Sequence, residues 1–528
     1  MRSRAVALAL VSMWAARAAS AAPPPAPAPE PAATFALILG VNASLDPDVP
    51  PLQYADDDAA RYLDLFRALG ARTYLLTRLD QNTRRIHVQA AAEALPPRLD
   101  DLRRAVAAAA RDVAQARARG LRTQVYVVYA GHGELRDGVE QLTLEDGRLT
   151  SASLLHDVIE PIGGDQAHLI ADACHASLLA MARGPGGTRR PVNGFVELEA
   201  ASRAGRLGFL LASSVGGESH EWEGFQSGVF SHEVRSGLYG AADADGDGRV
   251  SYAEIAAFVE RANAAIVNQR FWPQVLARPP RDSDTLLDLR GRNDRAVVIS
   301  GADAAAHYLL EDERGVRLLD FHGTGAQDIS LVRPTAPGTL YLRRTSDGAE
   351  RAIPPRDGVV RAAELQVRPP RVQARGALHV AFGQLFSLPF DASDVTSYQQ
   401  RTDAAEASLR ATAARQAAED ARARTRRIIA WTSVGVAAGA AAGATAALVS
   451  AHRIRDAAPA QESQRDAVAR NERIDGRNRL GGALVAVAAG AVGAGLWLFL
   501  AGDGNPADPP VQVGLAPTSI DIAARVHF

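Results

Sequence analysis

The sequence VYVVYAGHG occupies residues 125–133, and the sequence HLIADACHAS occupies residues 168–177. Each begins as a short apolar run, which is typical of a buried β-strand. Each then ends in a reactive side chain, His132 in the first and Cys174 in the second. The carboxyl ends of parallel strands meet at one edge of a sheet, where α/β proteins carry their chemistry. We therefore expect the imidazole and the thiol to face one another at that edge.

The sequence around these two segments predicts an α/β fold. Further apolar runs lie at residues 35–39, 73–76 and 209–212, and residues 52–69 and 99–119 carry apolar side chains at helical spacing. Strands that alternate with helices form a mostly parallel sheet with helices on both faces. We assign residues 34–280 to this domain.

A thiol beside an imidazole is sufficient for acyl transfer, because the base promotes the thiolate and the thiolate attacks a carbonyl carbon. The backbone N–H groups of Gly133 and Cys174 are candidate oxyanion donors. The chain has no lysine and one cysteine, which excludes a P-loop, a lysine Schiff base and an intrachain disulfide. Its net charge of −2 gives no global basic surface. We expect neither a nucleic-acid partner nor an organic cofactor.

The two segments resemble those of the caspase and metacaspase group, which carry a His-Gly after one strand and an Asp-x-Cys-His-Ser-type box after the next. This chain has His132-Gly133 and then residues 172–177, DACHAS, in that order. Similarity extends to residues 40–42, 52–59 and 228–232, and it covers residues 34–270. The resemblance implies a caspase-type sheet and a cysteine endopeptidase that cleaves protein or peptide substrates, with Cys174 as nucleophile and His132 as base.

The expected substrate preference follows from charge. Caspases, which accept aspartate before the scissile bond, place a glutamine two residues before the cysteine and an arginine after a downstream tryptophan. Here the matching positions are Asp172 and Glu223, which follows Trp222. Two carboxylates repel aspartate and attract arginine or lysine, so we predict cleavage after basic residues, as in metacaspases. Alternatively, either acid is solvated or paired with a nearby arginine.

Three further possibilities stay open. The glycine-rich, basic segment 181–193 is either a self-cleavage point or an ordinary surface loop. The domain is alternatively an inactive caspase-like scaffold or binding module anchored in the cell envelope. The same dyad also suits an acyl transferase or amidase that acts on a non-protein substrate.

Residues 243–254, DADGDGRVSYAE, follow the twelve-residue EF-hand pattern. Calcium prefers oxygen ligands, which this loop offers at the usual positions. The predicted ligands are Asp243, Asp245, Asp247, the Arg249 carbonyl, Ser251 through water, and Glu254. Bound Ca²⁺ is expected to brace the domain or to activate it. The alternative is an Asp-rich turn that stays empty.

The remaining segments predict an envelope protein. Residues 1–22 have the basic start, apolar run and small-residue end of a signal peptide, although an uncleaved Ala-rich helix is the alternative. Residues 23–33 form a Pro/Ala-rich leader. Short strand-like segments and turns at 281–395 predict a small β-sandwich-like domain, and residues 396–427 predict a helical stalk.

Two uncharged stretches, 428–450 and 480–501, are long enough to span a bilayer. Small residues recur at every fourth position in each, which predicts close helix contact there. Seven arginines in the connector 451–479 place it in the cytoplasm and the peptidase domain on the periplasmic side of the inner membrane. Four arginines at 422–427 argue the other way, and a soluble Ala-rich hairpin is the alternative. The C-terminal tail, 502–528, is unassigned.

Overall fold

The computed structural model describes most of the chain in two compact units, residues 1–401 and 402–528. The described residues are 32–43, 45–136, 139–173, 182–183, 189–190, 202, 205–213, 220–268, 272–335, 338–369, 382–459, 461–500, 511–516 and 519–524. The predicted signal peptide, almost all of the leader and Cys174 lie outside them.

A six-stranded sheet forms the centre of the first unit. Five of its strands are parallel, and the sixth, Gln274–Arg278, pairs antiparallel at one edge. In spatial order the strands are Gln274–Arg278, Leu207–Ser213, Gln166–Ala173, Arg122–Gly131, Ala32–Val41 and Arg72–Thr77. Each parallel strand contains one of the predicted apolar runs, so the prediction of a mixed α/β fold with a largely parallel sheet is confirmed.

Alternate residues of the strands enter two apolar cores, one on each face of the sheet. Ile38 and Tyr126 face one core, while Leu37 and Val127 face the other. Helix Ala55–Ala68 packs in the first core and helix Leu99–Ala118 in the second, so they cover opposite faces of the sheet. Each presents an apolar side to the sheet because its apolar residues recur at helical spacing. The other helical segments are Gln81–Ile86, Val88–Glu93, Ser151–Ser153, Leu154–Ile159, Glu160–Ile162, Val229–Ser236, Gly237–Ala241 and Tyr252–Asn263.

Residues 296–368 form two further sheets, which we call the accessory sheets. One contains Ala296–Ile299, Ile329–Val332 and Val360–Arg361; the other contains His307–Glu311, Arg317–His322, Leu340–Arg344, Glu350–Ile353 and Val367–Arg368. Tyr308 and Phe321 of these sheets lie in the same apolar core as Phe230 and Phe258. The predicted boundary between 280 and 281 therefore does not separate two compact units, because both sides share one core.

The smaller elements are hairpins and short turns of helix. The paired strands are Gly133–Arg136, Val139–Thr143 and Arg148–Thr150; Ala182–Arg183 and Arg189–Arg190; Glu221–Trp222 and Ser227–Gly228; Arg249–Ser251 and Thr285–Asp288; and Val511–Ala516 and Ser519–Ala524. The 3₁₀ segments are Arg290–Arg295, Gly301–Ala304 and Ala362–Glu364.

Two long helices, Ala392–Asp456 and Gln464–Leu500, contain the predicted stalk, the first predicted span and residues 480–500 of the second. Both are long and apolar enough to cross a membrane. Their contact face differs from the predicted one, because buried alanines on the first helix recur at seven-residue spacing, as in a coiled-coil seam. These alanines are Ala430, Ala437, Ala444 and Ala451. Among the predicted contact glycines, Gly443 meets Leu484, but no atom of the described residues lies within 4 Å of a Cβ built at Gly435, Gly439, Gly482 or Gly490. Within the described residues, Gly443 therefore lies at the helix contact as predicted, whereas Gly435, Gly439, Gly482 and Gly490 do not.

Candidate active site

His132 lies at the carboxyl edge of the central sheet. The strand pairing aligns Val41 with Gly131 and Gly131 with Ala173, so three strands end level with one another. His132 follows Gly131 directly and is 6% exposed. The predicted nucleophile, Cys174, lies outside the described residues, and the strand that leads to it ends at Ala173. The described part of the chain thus contains the predicted base, His132, and the end of the strand that precedes Cys174 in the sequence.

The imidazole of His132 is oriented by Asn42, the residue after the first strand. Its Nε2 lies 3.2 Å from the Asn42 carbonyl oxygen. A carbonyl only accepts hydrogen bonds, so Nε2 carries the proton and Nδ1 keeps its lone pair when the ring is neutral. Burial lowers the pKa of His132, and the Asn42 carbonyl and Glu134 oppose this shift only in part. Burial thus favours the neutral imidazole, and the contact with Asn42 leaves Nδ1 as its unprotonated nitrogen.

Asn42 is itself fixed by the start of helix Ala55–Ala68. Its Oδ1 accepts the Ala55 N–H at 2.8 Å, and its Nδ2 donates to Asp56 at 2.7 Å. Below the histidine, the buried Tyr129 hydroxyl lies 2.8 Å from the His132 carbonyl oxygen. Buried or part-buried hydrogen bonds therefore hold Asn42 and the His132 backbone, which limits the movement of the imidazole.

Asp172 lies at the end of the strand before Cys174 and is 5% exposed. Its Oδ2 accepts the Ser231 hydroxyl at 2.7 Å and the Ser231 N–H at 3.1 Å. Gly228 lies against the same carboxylate, since a Cβ on this residue would be 2.6 Å from Asp172 Oδ2 and 3.2 Å from Asp58 Oδ2. A side chain at position 228 would displace the two carboxylates, so glycine is required there.

Asp58 is a carboxylate that the sequence reasoning missed. It pairs with the buried Arg235 guanidinium at 2.6 Å and accepts the Gly228 N–H at 2.8 Å. This ion pair holds helix Ala55–Ala68 against helix Val229–Ser236 beside Asp172. In the sequence, Asp58 belongs to an acidic run at residues 56–58. This run is part of the resemblance to caspases and metacaspases, but no role was predicted for it.

The second predicted pocket acid, Glu223, is exposed in the turn of the hairpin formed by Glu221–Trp222 and Ser227–Gly228. Glu221, two residues earlier, accepts the backbone N–H groups of Gln53 and Tyr54 at 2.9 and 2.7 Å. Burial raises the pKa of Glu221, and the carboxylates of Asp58 and Asp172 raise it further. Glu221 pairs with Gly228, which lies against Asp172, so Glu221 is close to the Asp172 carboxylate. The role of Glu223 stays a prediction.

The EF-hand-like loop brings three predicted ligands together. The carboxylate oxygens of Asp243, Asp245 and Asp247 lie within 4.8 Å of one another. Asp243 Oδ2 accepts the Gly248 N–H at 3.0 Å, while its buried Oδ1 has no hydrogen-bond partner in the described part of the chain. Glu254 accepts the N–H groups of Ala244 and Ser251, which joins the two ends of the loop. This donor set is all oxygen and fits a hard cation.

The backbone of the loop follows from its glycines. Gly246 and Gly248 have φ angles of 73° and 79°, a region that glycine enters without strain. Arg249–Ser251 then pairs antiparallel with Thr285–Asp288, so the loop is braced by a strand of the same chain. The predicted roles of the Arg249 carbonyl, of Ser251 through water and of Glu254 as calcium ligands stay predictions.

The predicted loop at 181–193 is described only at two short strands. Ala182–Arg183 pairs antiparallel with Arg189–Arg190. Self-cleavage in this segment stays a prediction.

No protein-family model and no curated protein matches this chain. Among solved structures, caspase-1 from Spodoptera frugiperda is 11% identical, with a TM-score of 0.29, and the match covers 48% of this chain and 88% of that one. A structure described as pro-sf-caspase-1 is 13% identical, with a TM-score of 0.28, and covers 47% of this chain and 93% of its own.

Proposed function

We propose that the chain is a caspase-like cysteine endopeptidase that cleaves after arginine or lysine with a Cys174–His132 dyad. The observation that carries this proposal is the position of His132: it ends one parallel strand, its Nε2 is oriented by the Asn42 carbonyl, and the neighbouring strand ends at Ala173, directly before Cys174. Cys174 follows Ala173 directly in the sequence, and consecutive Cα atoms lie about 3.8 Å apart, so we expect the thiol near the sheet edge that carries His132.

In the proposed reaction, Cys174 is the nucleophile and His132 transfers the protons. His132 Nδ1 takes the Cys174 thiol proton, and the thiolate attacks the carbonyl carbon of the scissile bond. The N–H groups of Gly133 and Cys174 donate to the oxyanion of the tetrahedral intermediate. The imidazolium then protonates the leaving amine, a thioester forms, and water hydrolyses it with His132 again as base. The enzyme returns to its starting protonation state.

The proposed specificity rests on Asp172. This carboxylate is buried, lies two residues before the nucleophile and is enclosed by Gly228 and Ser231. A buried carboxylate at the base of a substrate pocket favours a cationic side chain and disfavours an anionic one. Peptides that differ only in arginine, lysine or aspartate before a fluorogenic amide test the proposal: we expect turnover with the basic pair. Preferential cleavage after aspartate would refute the pocket assignment.

We further propose that the loop 243–254 binds Ca²⁺. We expect Ca²⁺, but not the same concentration of Mg²⁺, to raise the melting temperature of the wild-type protein. Asp243→Asn removes one charged ligand and should abolish the shift, while Asp294→Asn, an exposed acid outside the loop, should retain it. Calorimetry measures the melting temperature, and a parallel assay measures the rate of peptide cleavage. A shift in the melting temperature alone supports a bracing role, and a rise in the cleavage rate supports activation. A titration that moves neither the melting temperature nor the cleavage rate would contradict both roles.

We propose that the two long helices anchor the protein with the connector in the cytoplasm and the peptidase domain in the periplasm. Single cysteines introduced into a Cys174→Ser background test this orientation. A membrane-impermeant maleimide added to intact spheroplasts should label Ala407→Cys, in the predicted stalk, and should label Ala467→Cys, in the connector, only after lysis. The opposite labelling pattern would reverse the orientation, and release of the protein by a carbonate wash would refute the anchor.

A further inference from the structure

Arg317, on the accessory strand Arg317–His322, contacts the aromatic side of the hairpin that borders Asp172. Its guanidinium carbon lies 4.8 Å from the Phe225 ring centroid and 5.9 Å from the Trp222 ring centroid. The two rings meet edge to face with centroids 4.4 Å apart. A cation over the face of an aromatic ring is attracted by the negative potential of that face, and the attraction is stronger where water is excluded. The aromatic rings of the hairpin thus pack against a charged side chain from one of the accessory sheets.

Arg317 is held in place by a buried ionic network. It pairs with Asp320, whose carboxylate is fully buried and also lies 2.8 Å from Nε2 of His232 and 2.8 Å from Nε2 of His307. Burial alone would raise the pKa of Asp320, but Arg317 and the two imidazoles hold it well below its usual range. The His232 ring stacks on Phe225 at a centroid distance of 3.8 Å. One carboxylate therefore orders two groups that contact the hairpin.

The other side of the hairpin faces the proposed substrate pocket. Glu221 holds the backbone of Gln53 and Tyr54, and Gly228 lies directly against Asp172. A shift of the aromatic turn would therefore change the space around the Asp172 carboxylate. Gln226 in this turn has a φ of 50°, a left-handed conformation that a non-glycine residue holds only when its surroundings fix it.

We infer that Arg317 is a positioning residue that sets substrate affinity by holding the Glu221–Gly228 hairpin against Asp172, an inference that rests on the proposed peptidase function. The accessory sheets are then part of the specificity apparatus, because Arg317 and Asp320 both lie on one of their strands. Arg317 touches neither the substrate nor the dyad in this account, and it acts through Trp222 and Phe225.

The test compares Arg317→Met with Arg344→Met in the full-length protein. Arg344 lies on the accessory strand Leu340–Arg344 and makes an exposed ion pair with Asp347. Arg344→Met is therefore a matched control that also removes one guanidinium from an accessory strand. We expect Arg317→Met to raise KM for an arginine peptide about tenfold and to leave kcat within twofold, which corresponds to about 1.4 kcal/mol. Arg344→Met should leave both constants unchanged. Arg317→Lys retains the charge and should give an intermediate KM.

Hydrogen–deuterium exchange of residues 220–228 gives a readout that does not need catalysis. Faster exchange there in Arg317→Met supports the positioning role, and unchanged exchange or an unchanged KM overturns it. If Arg317→Met does not fold, Phe225→Leu removes the ring contact and leaves the Arg317–Asp320 pair, and the same rise in KM is expected. A wild-type protein that cleaves no peptide refutes the proposed peptidase and the affinity role, whereas the exchange experiment still decides whether Arg317 positions the hairpin.

Discussion

Cys174→Ala is expected to lower kcat/KM for an arginine peptide at least about 10³-fold, because the covalent step is lost. His132→Ala should lower it about 10²–10⁴-fold, since the thiol then has no base to take its proton. The two losses should be far from additive in the double variant, because the side chains act as one unit. Initial rates with a fluorogenic arginine amide measure all three variants.

His156 provides the matched control for the base. It is an exposed histidine that pairs with Glu160 on the surface of the same unit, and His156→Ala should leave the cleavage rate within twofold of the wild type. Circular dichroism shows whether each variant is folded. A Cys174→Ala protein that still cleaves would contradict the dyad and transfer the activity to another group.

Asp172→Asn is expected to lower kcat/KM for an arginine peptide about 100-fold, or about 2.7 kcal/mol, while a peptide with an uncharged residue at that position changes little. Asparagine keeps the shape of the side chain and an oxygen that can accept the Ser231 hydrogen bonds, so the variant removes the charge and retains these two contacts. The physical reason is that a carboxylate shielded from water interacts strongly with a cation.

An exposed carboxylate on the same unit is the control for this change. Asp157→Asn should leave the ratio of arginine to uncharged substrate unchanged. Equal losses for both substrates in Asp172→Asn would mean that the carboxylate supports the fold and does not select the substrate. An unchanged ratio with full activity would place the specificity elsewhere, for example at Glu221.

The strands were predictable because their apolar runs are local features of the sequence. The run at 125–129 lies inside Arg122–Gly131 and the run at 169–171 lies inside Gln166–Ala173, so the position of His132 at a strand end followed from pattern alone. The helices Ala55–Ala68 and Leu99–Ala118 followed from their apolar spacing in the same way. The sequence patterns predicted a mostly parallel sheet, but they did not specify the order of its strands or their register.

The contacts that shape the site were not predictable, because they join residues far apart in the sequence. His132 meets the Asn42 carbonyl across 90 positions, and Asp58 meets Arg235 across 177. Glu221 likewise accepts the N–H groups of Gln53 and Tyr54, which lie 168 and 167 positions away in the sequence, so no local pattern pointed to it. The shared core of the accessory sheets was missed for the same reason, since Phe321 and Phe258 carry no local signal that they touch.

The most direct test of the dyad is covalent labelling with an arginyl chloromethyl ketone, followed by intact-mass and peptide mass spectrometry. We expect one adduct per chain, located on Cys174, that forms rapidly in the wild type, forms slowly in His132→Ala and is blocked by excess arginine peptide. Labelling that is absent from the folded wild type, or that proceeds at the same rate without the His132 imidazole, would contradict the proposal that this thiol and this imidazole work as a pair.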